Sequence, residues 1–537
     1  MAARMSSDPG LFRFPRRRSV SCPGRTGLRV RVPIPGRPGK QPGGRGAENV
    51  NTLMRRKEKP MENVRFETGD RALQKLYDTA CEKARGNLKM FGEEPVLVEG
   101  GGYEKIWLET QPMGGEMYAG YDLTAAMNNQ RLFMRTQRED GRLAGSIQCL
   151  ADGQVEAQFN KFQGFCFPWH ALNMNDWIGG DRAYLEALYT CLEKFDAYLW
   201  RVRDSDGDGI LESWCVYDTG EDNALRYGNA PNYCTEETPP LGYDVVPMAS
   251  MDFMGYSFAS RDTLREISER LGNGQAEFWR GKAEQVRGKV RACLWDEEKG
   301  ACFDRDRQGR VMPVLTHNNL RCMYWGMFTR EMADRFVRDH LLNPGEFWTP
   351  MPLPSVSVSD PLFRNAPENN WSGQAEGLTY QRAILALERY GYEKIVTRLG
   401  RRLMKAVTEG GYVFTQQFDP FTGEPSRVGM KSHAVLDRGS TEPFQDAYGP
   451  TVLSVLEYTA HIYGIDMERG RMLFSMGRAG APYLYERKWL GHCYTLESDG
   501  ERGEIRLDGK RLMRDVACGS RVITDRTGQV LDIRTIE

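Results

Sequence analysis

The stretch Val216-Tyr-Asp-Thr-Gly-Glu-Asp-Asn-Ala-Leu-Arg-Tyr227 has neither helical nor strand periodicity, although helical patterns fill most of the chain on both sides of it. An aspartate-rich turn, Asp204-Ser-Asp-Gly-Asp208, comes shortly before it. Charged, glycine-containing loops between long helices often carry chemistry, because the helices supply a rigid scaffold. This stretch is therefore the candidate reactive loop, and a solvated loop between helices is the alternative.

Outward from this loop, apolar residues recur at helical spacing in one segment after another. The pattern predicts helices over residues 71–89, 123–136, 171–179, 182–201, 257–271, 275–294, 329–341, 373–390, 392–409 and 450–462. Paired helices that are joined by short turns predict an all-α fold, namely an α/α toroid whose loops gather at one end.

After residue 470 the helical period gives way to alternation between apolar and polar residues. Short strands with hairpin turns are predicted over residues 493–497, 503–509, 520–525 and 529–533. The chain therefore divides, on this prediction, into a leader (1–60), a helical body (61–468) and a small β appendage (469–537).

The leader has a composition of its own. Residues 1–60 hold 15 Lys plus Arg and three Asp plus Glu, a net charge of +12 in a chain whose total is −1. Its mixture of Pro, Gly and Arg cannot bury enough apolar surface to offset the entropy of ordering, so we expect it to be disordered. It is either a basic tail for RNA or a membrane surface, or, as we favour, the product of a misassigned start that precedes Met61.

The remaining residues carry a net charge of −13, which gives the body no electrostatic reason to bind nucleic acid. A neutral polar ligand, such as a sugar, suits its acidic and aromatic composition.

The 12 cysteines include no Cys-x-x-Cys pair, so neither a zinc site nor a disulfide framework is indicated and a cytoplasmic location is predicted. The sequence contains no apolar run of about 18 residues, so no membrane span is predicted. No phosphate loop, nucleophile elbow or zinc-protease motif occurs, and no cofactor is predicted.

One segment before the reactive loop has the composition of a sugar site. The run from Tyr103 to Tyr118 places Trp107 beside Glu109 and Gln111. Aromatic faces stack on the C–H faces of a pyranose, and carboxylate and amide groups bind its hydroxyls. An ordinary buried tryptophan near a turn is the alternative.

Six segments resemble, in order along the chain, motifs of the (α/α)6-barrel glycosidases. The resemblance is to the mannosylglycerate-hydrolase-like branch of glycoside hydrolase family 63, which is related to trehalases and processing α-glucosidase I, and it spans roughly residues 70 to 465. The segments are Gln137-Arg-Glu-Asp-Gly141, Asp206-Gly-Asp-Gly-Ile-Leu-Glu212, Thr219-Gly-Glu-Asp-Asn-Ala-Leu-Arg226, Leu294-Trp-Asp-Glu-Glu-Lys-Gly300, Glu346-Phe-Trp-Thr-Pro-Met-Pro-Leu-Pro-Ser355 and Asn369-Asn-Trp-Ser-Gly373.

The resemblance implies a general acid in the reactive loop. The motif Ser-Gly-x-Asp-Asn-Ser-x-Arg of the family matches residues 219–226, so Asp222 would protonate the glycosidic oxygen. That role needs a raised pKa, which partial burial or a nearby carboxylate could supply. Arg226 would bind a sugar hydroxyl or orient a carboxylate, with a salt bridge that fixes the loop as the alternative. Asn223 joins the predicted substrate-binding residues.

The general base is where this chain departs from the family. The family motif Glu-x-Tyr-Asn/Asp-Pro-x-Thr-Gly reads Gln416-Gln-Phe-Asp-Pro-Phe-Thr-Gly423 here. An amide cannot accept a proton from water, so inversion needs a different carboxylate across the sugar. The following loop offers Glu442 and Asp446, and we predict Glu442 as the base and Gln416 as a substrate-binding residue.

The family builds its sugar pocket from tryptophan and carboxylate side chains at one end of the barrel. A second departure lies there, because the family's Asn-Tyr-Trp-Arg-Gly-Pro-x-Trp reads Asn369-Asn-Trp-Ser-Gly-Gln-Ala-Glu376 in this chain. For each tryptophan and for the histidine, a structural role is the alternative. The residues that the resemblance places in the pocket are Trp107, Glu109, Trp169, His170, Glu368, Asn370 and Trp371.

These observations predict an inverting glycosidase for an α-linked disaccharide or glycoside. Two alternatives stay open: a catalytically silent carbohydrate-binding protein, favoured by Gln416, and a lyase or epimerase on the same fold. The turn Asp204–Asp208 begins like a calcium loop, but its twelfth position is Cys215 rather than Glu, so a structural turn without metal is predicted and calcium is the alternative. The sequence does not indicate an oligomeric state.

Overall fold

The computed structural model describes residues 30–31, 63–368, 371–429 and 442–537. The predictions for the leader, apart from residues 30–31, and for Asn370 lie outside these residues.

Helices occupy most of the described chain up to residue 463. Ten of them overlap the helices that the periodicity predicts. The helices are α1 (Arg71–Gly86), α2 (Gln111–Met117), α3 (Leu123–Arg135), α4 (Phe167–Trp177), α5 (Arg182–Val202), α6 (Met251–Leu271), α7 (Ala276–Cys293), α8 (Asn318–Tyr324), α9 (Arg330–Phe336), α10 (Gly377–Glu388), α11 (Glu393–Glu409) and α12 (Gly449–Tyr463).

The even-numbered helices pack against one another in a cyclic order. Helix α2 contacts α4, α4 contacts α6, α6 contacts α8, α8 contacts α10, α10 contacts α12, and α12 contacts α2. Every residue of α2, α8 and α12 is buried, whereas the odd-numbered α1, α5, α7 and α11 each combine a buried face with an exposed one. The even-numbered helices therefore form an inner layer, and the odd-numbered helices cover it.

The described chain also has short strands before and within the helical region, so it is helix-rich rather than purely α-helical. Each of these strands contains only two to four residues, which is too short for alternation to reveal. They are β1 (Val30–Arg31), β3 (Leu88–Phe91), β4 (Glu94–Leu97), β5 (Ile106–Trp107), β6 (Ser146–Cys149), β7 (Val155–Gln158), β8 (Glu212–Ser213), β9 (Met248–Ala249), β10 (Trp295–Asp296), β11 (Ala301–Cys302), β12 (Ala375–Glu376) and β13 (Gln417–Phe418).

Two antiparallel sheets follow the last helix. One has the order β14-β15-β20-β21 and the other β19-β18-β17-β16-β2, so a strand from the beginning of the described body completes the C-terminal sheet. The strands are β2 (Val64–Thr68), β14 (Ile465–Glu468), β15 (Arg471–Met476), β16 (Tyr483–Trp489), β17 (His492–Ser498), β18 (Arg502–Leu507), β19 (Lys510–Ala517), β20 (Ser520–Asp525) and β21 (Val530–Thr535).

The helices and the C-terminal sheets share one hydrophobic core, which extends from Val64 to Val522. Within the described part of the chain, no helix combines the length and the apolar character that crossing a membrane requires.

Candidate active site

The candidate site lies where the inner helices begin. Glu109 immediately precedes the N-cap of α2, Glu376 precedes α10 and Tyr448 precedes α12, while the reactive loop leads towards α6. Electrostatic interactions connect Glu109 and Glu376 with Asp222 and connect Tyr448 with both glutamates, so the starts of α2, α10 and α12 lie near the reactive loop. Helix N-termini favour nearby negative charge, which suits this concentration of carboxylates.

Asp218 anchors the reactive loop through a buried ion pair with Arg203. Its carboxylate and the guanidinium of Arg203 are fully buried and lie 2.6 Å apart. Asp218 also accepts hydrogen bonds from the backbone N–H groups of Trp214 (2.9 Å) and Phe162 (3.2 Å). Arg203 and these donors hold the pKa of Asp218 below its ordinary value despite its burial. Asp218 is therefore a charged structural residue.

Glu221 and Arg226 form a second buried anchor. Arg226 donates to the carboxylates of Glu221 and Asp304, and the amide of Asn318 donates to Glu221 at 3.0 Å. Although burial acts in the opposite direction, the charges of Arg226 and neighbouring cations lower the pKa of Glu221 to about 2. The terminal nitrogens of Arg226 thus face carboxylates, as in the salt-bridge alternative, and its role towards a sugar stays a prediction.

Asp222 directly follows Glu221 in the loop and is half-buried. Its backbone carbonyl accepts a hydrogen bond from the N–H of Trp371 at 3.1 Å, and the hydroxyl of Ser372 accepts one from the N–H of Leu225 at 2.8 Å. Asn223 is exposed and has a φ of 57°, which turns the chain sharply beside Asp222. The loop that carries the predicted acid is thus tied to the segment that precedes α10.

Three buried glutamates surround Asp222. Burial raises the pKa of Glu109 to about 7, although Arg382 donates to its Oε1 at 2.9 Å and acts in the opposite direction. Burial, together with the charges of nearby carboxylates that include Asp222, also raises the pKa values of Glu99 and Glu376 well above their ordinary value. Buried carboxyl groups with raised pKa values therefore lie close together, and such an arrangement is typical of sites that transfer protons.

The approach of Glu109 to the reactive loop depends on a glycine. Gly220 has a φ of +74°, and a Cβ atom at this position would lie 2.3 Å from Oε2 of Glu109. Neither the backbone conformation nor the space permits a side chain there. Glycine at position 220 thus brings the carboxylate of Glu109 against the turn that carries Asp222.

Aromatic rings enclose a buried lysine beside the same carboxylates. The ammonium of Lys161 lies 4.8 Å from the ring centre of Trp107, 4.7 Å from that of Tyr217 and 5.0 Å from that of Tyr233. Burial lowers the pKa of Lys161, whereas the charge of Asp222 acts to raise it. Trp107 therefore borders the candidate site, and its ring already contacts a cation.

Gln416, at the position of the family's base, also lies in this cluster. Tyr103 donates a hydrogen bond to its Oε1 at 3.2 Å. Burial raises the pKa of Tyr103 above the usual range, and the charges of Glu99, Asp222 and Glu376 act in the same direction. The Tyr103 hydroxyl thus stands among three carboxyl groups and the amide that replaces a fourth.

Glu442, the predicted base, is half-buried and directly follows residues 430–441, which lie outside the described chain. It makes an interaction of its own. Asp446, the second choice, pairs with Lys83 and accepts hydrogen bonds from the N–H groups of Phe414 and Ala447 at 2.9 and 2.7 Å. The base role of Glu442 stays a prediction.

Two predicted pocket residues on α4 have structural partners. His170 is buried between Glu116 and Tyr324, at 3.1 and 2.8 Å, and burial lowers its pKa. The ring of Trp169 packs under Arg469, 4.6 Å from the guanidinium carbon. Glu116, Tyr324 and Arg469 are not members of the carboxylate cluster around Asp222.

Two further predicted pocket residues differ in burial. The amide oxygen of Gln111 is buried and accepts hydrogen bonds from the N–H of Trp107, at 3.1 Å, and from the Thr110 hydroxyl, which fixes the start of α2. Glu368 is exposed. The role of both in substrate binding stays a prediction.

Two acidic clusters in the described residues bring potential metal-ligand atoms within 4.8 Å of one another. In the turn of Asp204, Asp206 and Asp208, each carboxylate accepts a backbone hydrogen bond from within the turn, as expected of a structural turn. The other cluster comprises Glu457, His461 and Asp466, and arginines lie beside it. The prediction that the chain holds no metal remains untested.

Comparison with known proteins identifies the family. Residues 117–435, more than half of the chain, match the mannosylglycerate hydrolase MGH1-like glycoside hydrolase domain. The chain belongs to this family. The result confirms the resemblance seen in the sequence motifs, and the chain therefore carries an MGH1-like glycoside hydrolase domain.

A curated relative of this chain has low sequence identity to it. A mannosylglycerate hydrolase from Rubrobacter radiotolerans is 24% identical over 289 residues, which cover 45% of this chain and 64% of that protein. The match thus spans slightly less than two thirds of that relative.

Solved structures with similar folds include a sialidase, with a TM-score of 0.64, 13% identity and coverage of 86% of this chain and 41% of that one. The family 63 mannosylglycerate hydrolase from Thermus thermophilus in complex with glucose has a TM-score of 0.55 and 17% identity, over 72% and 99% of the two chains. Neutral trehalase Nth1 from Saccharomyces cerevisiae has a TM-score of 0.52 and 14% identity, over 68% and 74%. At these identities the likeness concerns the fold alone.

Sequence reasoning missed three residues of the cluster. Glu99 precedes three consecutive glycines, and this Glu-Gly-Gly-Gly run was the available signal. Glu376 stands where the family motif has a tryptophan, a departure that was visible without indicating a role. Lys161 gives no signal in the sequence, because its aromatic neighbours are far from it along the chain.

Proposed function

We infer that this member of the family hydrolyses an α-linked disaccharide or another small α-glycoside, with Asp222 as the general acid. The observation that carries the proposal is the position of Asp222, half-buried among Glu99, Glu109 and Glu376 where the inner helices begin. An acid that works near neutral pH must keep its proton, and neighbouring carboxylates favour the protonated form.

The reaction would proceed in one displacement. The carboxyl of Asp222 gives its proton to the glycosidic oxygen as the bond from that oxygen to the anomeric carbon breaks. A carboxylate on the opposite face takes a proton from the attacking water, and the configuration at the anomeric carbon inverts. Acid and base stand about 6.5–9.5 Å apart in such enzymes, which leaves room for the water. No cofactor takes part.

The proposal includes the architecture. The cyclic packing of α2, α4, α6, α8, α10 and α12 supports an (α/α)6 toroid. We place this toroid within residues 61–468, with the β appendage at 469–537. The eleven free cysteines of the described residues agree with the prediction of a cytoplasmic location.

Sugar binding would fall to the residues nearest to Asp222. Glu109 offers a carboxylate to sugar hydroxyls, and the rings of Trp107 and Trp371 offer apolar faces. Asn223, exposed beside Asp222, offers an amide. In this chain Ser372 replaces the Arg of the family motif, and Glu376 replaces its second Trp. We therefore do not propose that this chain binds the same sugar as a relative.

A second candidate function is a catalytically silent carbohydrate-binding protein. Gln416 supports it, because an amide at the family's base position cannot activate water. The two candidate functions differ in one observable result, since only the hydrolase cleaves a glycosidic bond in a manner that depends on Asp222.

The first experiment is a screen of natural and chromogenic α-glycosides with the wild type and Asp222→Asn. Proton NMR of the first anomer released reads the stereochemistry. We expect the inverted anomer from the wild type and a kcat about 10²–10⁴ times lower for Asp222→Asn. Asp532→Asn, an exposed change on β21, is the matched control and should behave as the wild type. Sugar binding without cleavage in all three proteins would establish the silent alternative.

A further inference from the structure

Strand pairing joins the position of the missing base to another glutamate. In the ladder of β12 and β13, Glu376 pairs with Gln417, the neighbour of Gln416, and the carbonyl of Gln416 accepts the N–H of Gly377 at 2.8 Å. Adjacent strands lie about 4.8 Å apart. A carboxylate at position 376 therefore stands one strand away from position 416.

The two departures from the family motifs are reciprocal. At position 416 a carboxylate is replaced by an amide, and at position 376 a tryptophan is replaced by a carboxylate. Glu376 lies in the β12–β13 ladder and Gln416 directly precedes β13, and Tyr103 connects them, because its hydroxyl donates to Gln416 while the charge of Glu376 acts on it.

The surroundings of Glu376 do not explain it as a structural residue. It is the N-cap residue of α10, yet its side chain makes no capping hydrogen bond. Gln417 donates to its Oε1 at 2.6 Å, and its fully buried Oε2 has no partner among the described residues. A buried carboxylate oxygen without a donor is costly, and its usual explanation in a native protein is a ligand, a water or a catalytic role.

The free oxygen belongs to a group that interacts with the predicted acid. The charges of Asp222 and Glu109 both act on Glu376, and only Arg321 among its main electrostatic partners acts in the opposite direction. Tyr103, which bonds to Gln416, is influenced by Glu376 and Asp222 together. Glu376 and Asp222 therefore lie close enough for their charges to interact.

We propose that Glu376 is the general base of this site, an assignment that rests on the hydrolase function proposed above. Its Oε2 takes one proton from a water molecule as the water oxygen bonds to the anomeric carbon. The electron pair of the breaking glycosidic bond goes to the leaving oxygen, which receives the proton of Asp222. The amide of Gln417 holds Oε1 and orients the carboxylate.

The test compares Glu376→Gln with Glu442→Gln, the base predicted from the sequence, on a substrate that the wild type cleaves. We expect kcat to fall about 10²–10⁴-fold in Glu376→Gln with little change in KM, and to fall at least about tenfold less in Glu442→Gln. Because burial raises the pKa of Glu376 well above its ordinary value of 4.5, activity of the wild type should rise with pH only well above pH 4.5, where the base ionises, and this limb should disappear in Glu376→Gln. Glu186→Gln, an exposed change on α5, is the control for charge removal.

A rescue variant separates chemistry from folding. Gln416→Glu combined with Glu376→Gln returns a carboxylate to the neighbouring strand, and we expect at least about tenfold recovery of kcat. In Glu376→Ala, which leaves a cavity for a small anion, we expect recovery by added azide. Activity in Glu376→Gln above a tenth of the wild-type value, or a loss that neither measure recovers, would overturn the assignment. Cleavage that requires Asp222 but not Glu376 would leave the proposed function standing, whereas no cleavage by the wild type would remove both.

Discussion

Glu109 lies among two arginines, Arg382 and Arg321, and several carboxyl groups. Arg382 donates to its carboxylate, yet burial dominates and raises the pKa to about 7 from an ordinary value of 4.5. The folded protein therefore holds this proton more tightly than the unfolded chain does. Stability must fall as pH rises from 4.5 to about 7, because the folded state binds the extra proton in that window.

Glu109→Gln removes this titration. We expect the free energy of unfolding of the variant minus that of the wild type to increase by on the order of 3 kcal/mol between about pH 4 and pH 8, because only the wild type loses stability in this range. The loss of the ion pair with Arg382 adds a constant offset, so the pH dependence is the diagnostic quantity. Urea unfolding across this range measures it, with Glu186→Gln as the control. A difference that stays flat with pH would contradict the assigned pKa.

The reactive loop contains two short 3₁₀ helices, Val216–Asp218 and Leu225–Tyr227, and its position depends on contacts with other segments. The buried ion pair of Arg203 and Asp218 fixes the loop. Hydrogen bonds also fix it, from the N–H of Trp371 to the loop and from the loop to the hydroxyl of Ser372. A loop with these anchors can hold Asp222 in one place, which acid catalysis requires.

Asp218→Asn tests the anchor that Asp218 forms with Arg203. The substitution leaves the buried charge of Arg203 without its counter-ion, and we expect a loss of about 3–5 kcal/mol in the free energy of unfolding. Chemical denaturation with detection by tryptophan fluorescence measures the loss. For comparison, Glu186→Gln breaks the exposed pair with Arg182 and should cost less than about 0.5 kcal/mol. Equal effects of the two variants would argue against the anchor.

Two helices escaped prediction, and both belong to the inner layer. Helices α2 and α8 each contain seven residues, and all of them are buried. Seven residues make only about two helical turns, and a helix that is buried on every side has no polar face, so neither a long apolar run nor an amphipathic period reveals it. Helix α12 is also fully buried, but its 15 residues were enough for prediction. The outer helices, which have an exposed face, were the ones whose period was clearest.

At the scale of the molecule, a buried ionic network joins the helices to the C-terminal sheets. His461 of α12 lies 2.9 Å from Glu388 of α10 and 3.2 Å from Asp466 of β14, with Glu457 at 3.4 Å. Arg521 of β20 donates to Glu388 at 2.7 Å and to the carbonyl of His461 at 2.9 Å. Glu388 and its neighbouring carboxylates raise the pKa of His461 well above 6.5 despite burial, and Arg521 and His461 hold the pKa of Glu388 far below 4.5.

His461→Gln tests this junction. A raised histidine pKa stabilises the fold fully below pH 6.5, and this contribution is lost as pH rises through the folded-state value. A depressed glutamate pKa stabilises it above pH 4.5 and is lost on acidification. We therefore expect the destabilisation by His461→Gln to be largest between pH 4.5 and 6.5 and to shrink at alkaline pH. Thermal unfolding across this range measures it, and a cost that grows with pH would refute the network.

Local sequence pattern was enough to predict most helices of the described chain, the late hairpin strands and the family, and it singled out the loop of Asp222, whose role as the acid stays a prediction. These features depend on residues close together in the chain, whose spacing records which side of an element faces water. Three features needed the folded molecule: the inner helices close into a cyclic order, Arg226 faces Glu221 and Asp304, and Glu99, Lys161 and Glu376 meet beside Asp222. The reason is physical, because these contacts join segments that are far apart along the chain, and which segments meet is settled when the buried faces of all the helices pack together.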